Sequence, residues 1–127
     1  MPVTVDYPPA SNRVPGVVPR AVTLPELDVL RAWVGVSTTV VDDATLTRVY
    51  ATEASTQLAT VRLLDEETAL PDELAQALFR RVSRHLAARN LPLGLTDTSS
   101  EFGPTRIPGY DAEIVRLEAP RKTPVVA

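Results

Sequence analysis

Twelve prolines are distributed over 127 residues, and their placement constrains the fold more than any other feature of the chain. Proline fixes φ at about −65° and has no N–H to donate, so it is excluded from the interior of a helix. Six of the twelve stand in the first 25 residues: Pro2, Pro8, Pro9, Pro15, Pro19 and Pro25. Residues 1–22 therefore read as an extended arm without helical periodicity. The arm reads either as a disordered tail or as a segment that orders against a neighbouring subunit, for which Val3, Val5, Tyr7, Val14, Val17 and Val18 give it apolar points to dock. The other six prolines fall at element boundaries or in the C-terminal third.

Between the prolines the apolar residues recur at helical spacing. A first helix is expected from Thr23, where Thr23 and Glu26 have capping-box spacing and Pro25 is tolerated in the first turn. Leu27, Leu30 and Val34 share its stripe, with Trp33 beside them, and Gly35 suits the left-handed position that ends a helix. A second helix is expected from an Asp42 or Asp43 cap to about Leu64, with Leu46, Tyr50, Ala54, Leu58, Val61 and Leu64 on one face and Gln57 within it. A third runs from about Pro71 to near Asn90 on Leu74, Ala75, Leu78, Phe79, Val82 and Leu86, with basic residues gathered at its C-terminal half, as the dipole favours. Residues 91–109 hold three glycines and three prolines and read as a long loop, with room for a short strand at Thr105–Ile107. A brief fourth helix follows from an Asp111 cap to about Leu117. The expected fold is all-α: a small bundle of about four helices in a domain over 23–118, preceded by the extended arm and followed by an extended tail over 119–127.

Composition removes several kinds of chemistry. There is no cysteine, which excludes disulfides, thiolate metal sites and a cysteine nucleophile. The single histidine, His85, excludes any site built on two. It reads as a core-edge histidine hydrogen-bonded to Gln57 or Glu53, and no nucleophile or oxyanion motif accompanies it. Asp42, Asp43, Asp65, Glu66 and Glu67 match no calcium loop and read as helix capping and a solvated turn. Arg80, Arg81, Arg84 and Arg89 form the one basic cluster. Without interleaved aromatics it reads as a solvated helix face, or as a subunit interface complementary to the acidic 65–67 turn. A formal charge of −3 is too mild for binding driven by phosphate neutralisation. No catalytic, cofactor or metal site is expected, and no apolar run approaches the roughly 20 residues of a membrane span. The N-terminus has no basic-then-apolar leader pattern, so the chain is expected in the cytosol or in a particle assembled there.

Three segments carry a resemblance to a known family. EFGPTRIPGYDAEIVRLEAPRK (101–122) resembles the end of the head-to-tail adaptor, or connector, proteins of tailed phages of actinobacteria. The matching positions are the Phe102–Gly103 turn, Arg106–Ile107, the Tyr110–Asp111 cap, the acidic helix Glu113–Leu117, and Pro120 with Arg121. RRVSRHLAARNLPLG (80–94) resembles the family's helix with a basic end, and LPELDVLRAWVGV (24–36) its short opening helix ending in Trp and Gly. Pro108 and Gly109 stand where the family has Ser-Arg, and an aromatic between the final Pro and Arg is missing. Residues 1–22 lie outside the pattern.

The resemblance implies a structural virion protein and not an enzyme: a ring of subunits, commonly twelve, at the head–tail junction, assembled in the host cytoplasm. The portal protein would sit above it and a stopper or tail terminator below, with DNA passing through the lumen without specific binding. The loop, through Phe102, Arg106, Ile107 and Tyr110, would reach a neighbouring subunit. The tail would dock on the portal, with Val125 and Val126 as apolar anchors and Arg121 and Lys122 meeting acidic groups. Two other functions compete: another completion protein such as a stopper or terminator, and a small helical DNA-binding module using the arginine face.

Overall fold

The computed structural model describes residues 2–10, 13, 15–16, 18–89 and 111–122. Four helices are joined by a two-stranded antiparallel sheet, so the domain is mostly helical and not purely all-α. The sheet lies within and just after the segment expected as an extended arm. Strand β1 is Val3–Tyr7 and β2 is Arg20–Leu24, paired in the register Val3↔Leu24, Val5↔Val22 and Tyr7↔Arg20. Both five-residue runs lie between prolines; β1 alternates apolar with polar residues, and in β2 the buried Val22 and Leu24 alternate with the exposed Ala21 and Thr23, the period that lays one face of a strand on a core. Val22 and Leu24 are buried, and Val3, Val5 and Tyr7 pack against the same core. The prolines excluded a helix correctly; the alternation between them was the signal for strands.

This hairpin also corrects the first helix. Thr23 is not a cap: it belongs to β2, donating its N–H to the Thr68 carbonyl and accepting from the Leu70 N–H at 2.8 and 2.9 Å. Helix α1 covers Leu27–Val34, entered at Glu26 without a side-chain cap and closed by Gly35 at φ 80°. Arg31 then fastens the connector, donating to the Val36 and Val41 carbonyls and to Asp43.

Helix α2 is Asp43–Leu58, with the Asp42 carboxylate accepting from the Thr45 N–H at 2.7 Å. It stops six residues before the expected Leu64. From Val61 the burial period changes from helical to alternating: Val61 and Leu63 are buried, while Leu64 is 55% exposed. Val61 forms an antiparallel bridge with Lys122, and the Leu63 N–H donates to the Tyr7 hydroxyl. Tertiary partners thus hold this stretch extended.

Helix α3 (Asp72–Arg89) is the central element, packed on α1, α2 and α4. Leu30, Leu46, Tyr50, Leu74, Leu78 and Val82 are all 0% exposed and form the centre of the core. Helix α4 (Ala112–Glu118) is capped by Asp111 as expected, and lays Ile114 and Leu117 over Ala77, whose small side chain admits the close approach. The next residues correct the expected extended tail: Ala119–Arg121 form a 3-10 turn. The 91–109 loop with its short strand at Thr105–Ile107, and residues 123–127, lie outside the described residues.

Candidate functional site

The α3–α4 contact is built around a buried acid. Glu118 is 1% exposed and sits on the inner side of α4. Arg81 meets it with two bonds, Nε to Oε2 at 2.8 Å and Nη2 to Oε1 at 2.7 Å, the fork geometry that best neutralises a carboxylate. The Gln57 Nε2 donates to Glu118 at 2.9 Å and to the Leu74 carbonyl at 2.9 Å, and Lys122 Nζ lies 3.4 Å from the other carboxylate oxygen. Burial pushes the Glu118 carboxyl up, but the hydrogen bonds from Arg81 and Gln57 and the nearby cations outweigh it, leaving the group below the usual glutamate range. The same partner raises Arg81.

Two further pairs flank this one. Arg80 binds both oxygens of Asp111 at 3.1 and 2.9 Å, while the Glu113 and Ile114 N–H groups donate to the same carboxylate. Burial raises Asp111, and those four contacts bring it net below its ordinary value. On the α2 side, His85 Nδ1 is 2.8 Å from Glu53, the alternative of the two expected partners that is realised. Glu53 is its hydrogen-bond partner among the described residues. The geometry is that of a structural tie.

Around these pairs lies a groove of about 700 Å³ over the C-terminal half of α3, walled by α4 and by Glu53 of α2. Its apolar surface is Ala88, Ile114 and Val115, and Arg84 and Arg89 line it as well. The four arginines read from the sequence as one basic cluster are thus divided: Arg80 and Arg81 hold α4, and Arg84 and Arg89 border the groove.

A second cluster fixes the C-terminal end of the described chain. Arg121 donates to both oxygens of Glu67 at 2.6 and 2.9 Å and to Glu73 at 3.0 Å. Its carbonyl accepts from the Arg62 N–H at 2.7 Å. The hydrogen bond from Arg121 lowers Glu67, and that from Glu67 raises Arg121. Lys122 donates to Thr60 Oγ1 at 3.0 Å. Arg121 and Lys122, read from the sequence as portal-facing charges, therefore have partners within their own chain. Phe102, Arg106, Ile107, Tyr110, Val125 and Val126 lie outside the described residues.

Sequence reasoning missed the roles of Glu118 and Glu67. Neither carries a local signal, since one sits in a short acidic helix and the other in an acidic turn, and each acquires its arginine only through packing. Among the described residues no cluster of three or more His, Cys, Asp or Glu could hold a metal ion, and no helix is long and apolar enough to cross a membrane. Compared with protein-family models, curated proteins and solved structures, the chain matches none.

Proposed function

We propose that this chain is the head-to-tail adaptor of a tailed phage, a structural subunit that forms a ring beneath the portal and leaves a channel for DNA. The observation that carries the reading is the order and spacing of the three family-like segments over residues 24–36, 80–94 and 101–122. The elements they contain support it. The first holds α1 with its Gly35 terminus, the second the basic end of α3, and the third the Asp111-capped α4 and its Pro-Arg ending. The N-terminal hairpin is an addition to that pattern.

In this proposal the subunits form a closed ring, commonly of twelve, with the portal above and a stopper or tail terminator below. The loop residues Phe102, Arg106, Ile107 and Tyr110 contact the neighbouring subunit. The Arg121 clasp fixes where the tail leaves the domain, and Val125 and Val126 beyond it dock on the portal. A closed ring suits a small subunit, because each copy buries two surfaces without an unpaired end. A DNA-binding module is the weaker reading: Arg80 and Arg81 are neutralised within the chain, which removes half of the cluster it needs.

The test is negative-stain electron microscopy of this protein mixed with its cognate portal. A ring of added density at the portal's narrow end is expected, and its symmetry gives the subunit number. Bare portals at high protein excess would reject the adaptor.

A further inference from the structure

Strand β1 is the open edge of the sheet. Its neighbour β2 is engaged on both sides, by β1 on one and by the 68–70 segment on the other. Thr23 turns its N–H and C=O to Thr68 and Leu70. Residues facing each other across an antiparallel pair alternate between bonded and non-bonded, so Val22 and Leu24 are the residues that bond to β1, through Val5 and Val3. The same alternation directs the N–H and C=O of Thr4 and Asp6 away from β2. Both residues are exposed, and among the described residues no backbone group bonds to them on that side. The Asp6 carboxylate meets Arg13 at 3.4 Å, which leaves its backbone free.

This edge is complementary to itself. Pro2 and Pro8 bound it at equal distances from Val5. In an antiparallel pair of two copies centred on Val5, Thr4 of each copy lies opposite Asp6 of the other. Each such pair exchanges both N–H···O=C bonds, so the outward groups of Thr4 and Asp6 are all satisfied. Pro2 then lies opposite Pro8, so no donor is stranded at either end. Centring the pair on Thr4 instead sets Asp6 against Pro2, which cannot donate, and centring it on Asp6 sets two carboxylates opposite each other. The Val5-centred register also places Val5 against Val5 and Val3 against Tyr7, apolar cross-strand pairs between residues that a single copy leaves half-buried.

We infer that two copies of this chain join through β1, antiparallel and centred on Val5, into one continuous sheet in the order β2–β1–β1–β2. The contact goes beyond the adaptor reading and does not depend on it. A two-fold pair closes on itself, so it joins free chains and is not the contact that repeats around a ring.

Sedimentation velocity of the full chain, up to millimolar concentration, tests the pairing, with amide hydrogen exchange followed by NMR on the same samples. The wild type is expected to dimerise. On dimerisation the Thr4 and Asp6 amides should exchange about tenfold or more slowly, whereas the Val5 amide, already bonded to β2, changes little. Thr4→Pro removes an outward donor and no bond of the β1–β2 ladder, and should weaken the dimer about tenfold. Thr4→Lys faces Asp6 of the second copy and should tighten it about threefold. Adding Asp6→Lys to Thr4→Lys sets lysines opposite each other and should weaken the dimer below wild type, although it brings the negative net charge of the chain closer to zero. General charge repulsion predicts the reverse order. Far-UV circular dichroism checks folding; should Thr4→Pro misfold, the two lysine variants, at exposed positions, carry the test.

The pairing is overturned by a wild type that stays monomeric at millimolar concentration, or by a folded Thr4→Pro chain that dimerises as tightly as wild type. A double lysine variant that associates more tightly than the single one overturns it too. So do Thr4 and Asp6 amides that exchange as fast in the dimer as in the monomer, since the copies then meet through another surface. The adaptor reading fails separately, only if the wild-type chain leaves portals bare.

Discussion

Replacing Arg81 by methionine leaves the Glu118 carboxylate buried without its main counter-charge. Removing one partner of a buried ion pair costs about 3–5 kcal/mol, because the remaining charge keeps its desolvation penalty. The low end applies here. The Arg81 side chain is 20% exposed, and Lys122 Nζ at 3.4 Å and Gln57 Nε2 at 2.9 Å still face the carboxylate. Arg81→Met is therefore expected to destabilise the fold by about 3 kcal/mol at neutral pH. That is a large share of the roughly 5–15 kcal/mol that holds a domain together. At about 4 °C per kcal/mol for a chain of this size, Tm falls by about 12 °C. The sign with pH also follows. Glu118 is lowered in the folded wild type, so its contribution is fully present above the ordinary glutamate range and is lost as pH falls through the folded value. In Arg81→Met burial loses its main offset, the carboxyl rises, and the deficit relative to wild type shrinks on acidification. Adding Glu118→Leu should recover part of the loss at neutral pH, since an apolar pair carries no stranded charge. Urea unfolding followed by far-UV circular dichroism at several pH values measures all of these. A loss under 1 kcal/mol for Arg81→Met, or a double variant less stable than the single one, would refute the reasoning.

Three further outcomes are expected. Val22→Ala, at a fully buried position of β2, should cost about 2 kcal/mol in urea unfolding, whereas a neutral result would detach the hairpin from the core. Tyr50→Phe removes the hydroxyl that donates to the Pro25 carbonyl at 2.8 Å and should cost about 1 kcal/mol with the core otherwise intact, measured by thermal melting. Asp111→Ala removes both the α4 cap and the Arg80 partner and should cost about 1–2 kcal/mol at neutral pH. Because Asp111 is lowered in the fold, the gap between wild type and variant should close as pH drops below the ordinary aspartate range; a gap independent of pH would contradict its ionised role.

The sequence by itself determined what depends on neighbours along the chain. Asp42 and Asp111 were legible as caps because a carboxylate can reach an N–H two or three residues on, as both do. Gly35 was legible as a helix end because its left-handed φ of 80° suits glycine. The stripes of α2 and α3 were legible because 3.6-residue periodicity needs no partner to be seen, and the closeness of His85 and Glu53 followed from those stripes. Other features were decided only when distant segments met. Thr23 and Glu26 have the spacing of a cap, yet Thr23 is drawn into β2 by backbone bonds from the 68–70 segment, and a local motif worth about 1 kcal/mol yields to ladder pairing and the burial of Val22 and Leu24. Residues 61–64 have a helical stripe on paper, but Lys122 and the Tyr7 hydroxyl hold them extended and turn Leu64 outward. The partners of Glu118 and Glu67 lie 37 and 54 residues away in sequence. No local pattern marks such pairs, because what fixes them is the desolvation of a carboxylate that folding itself creates.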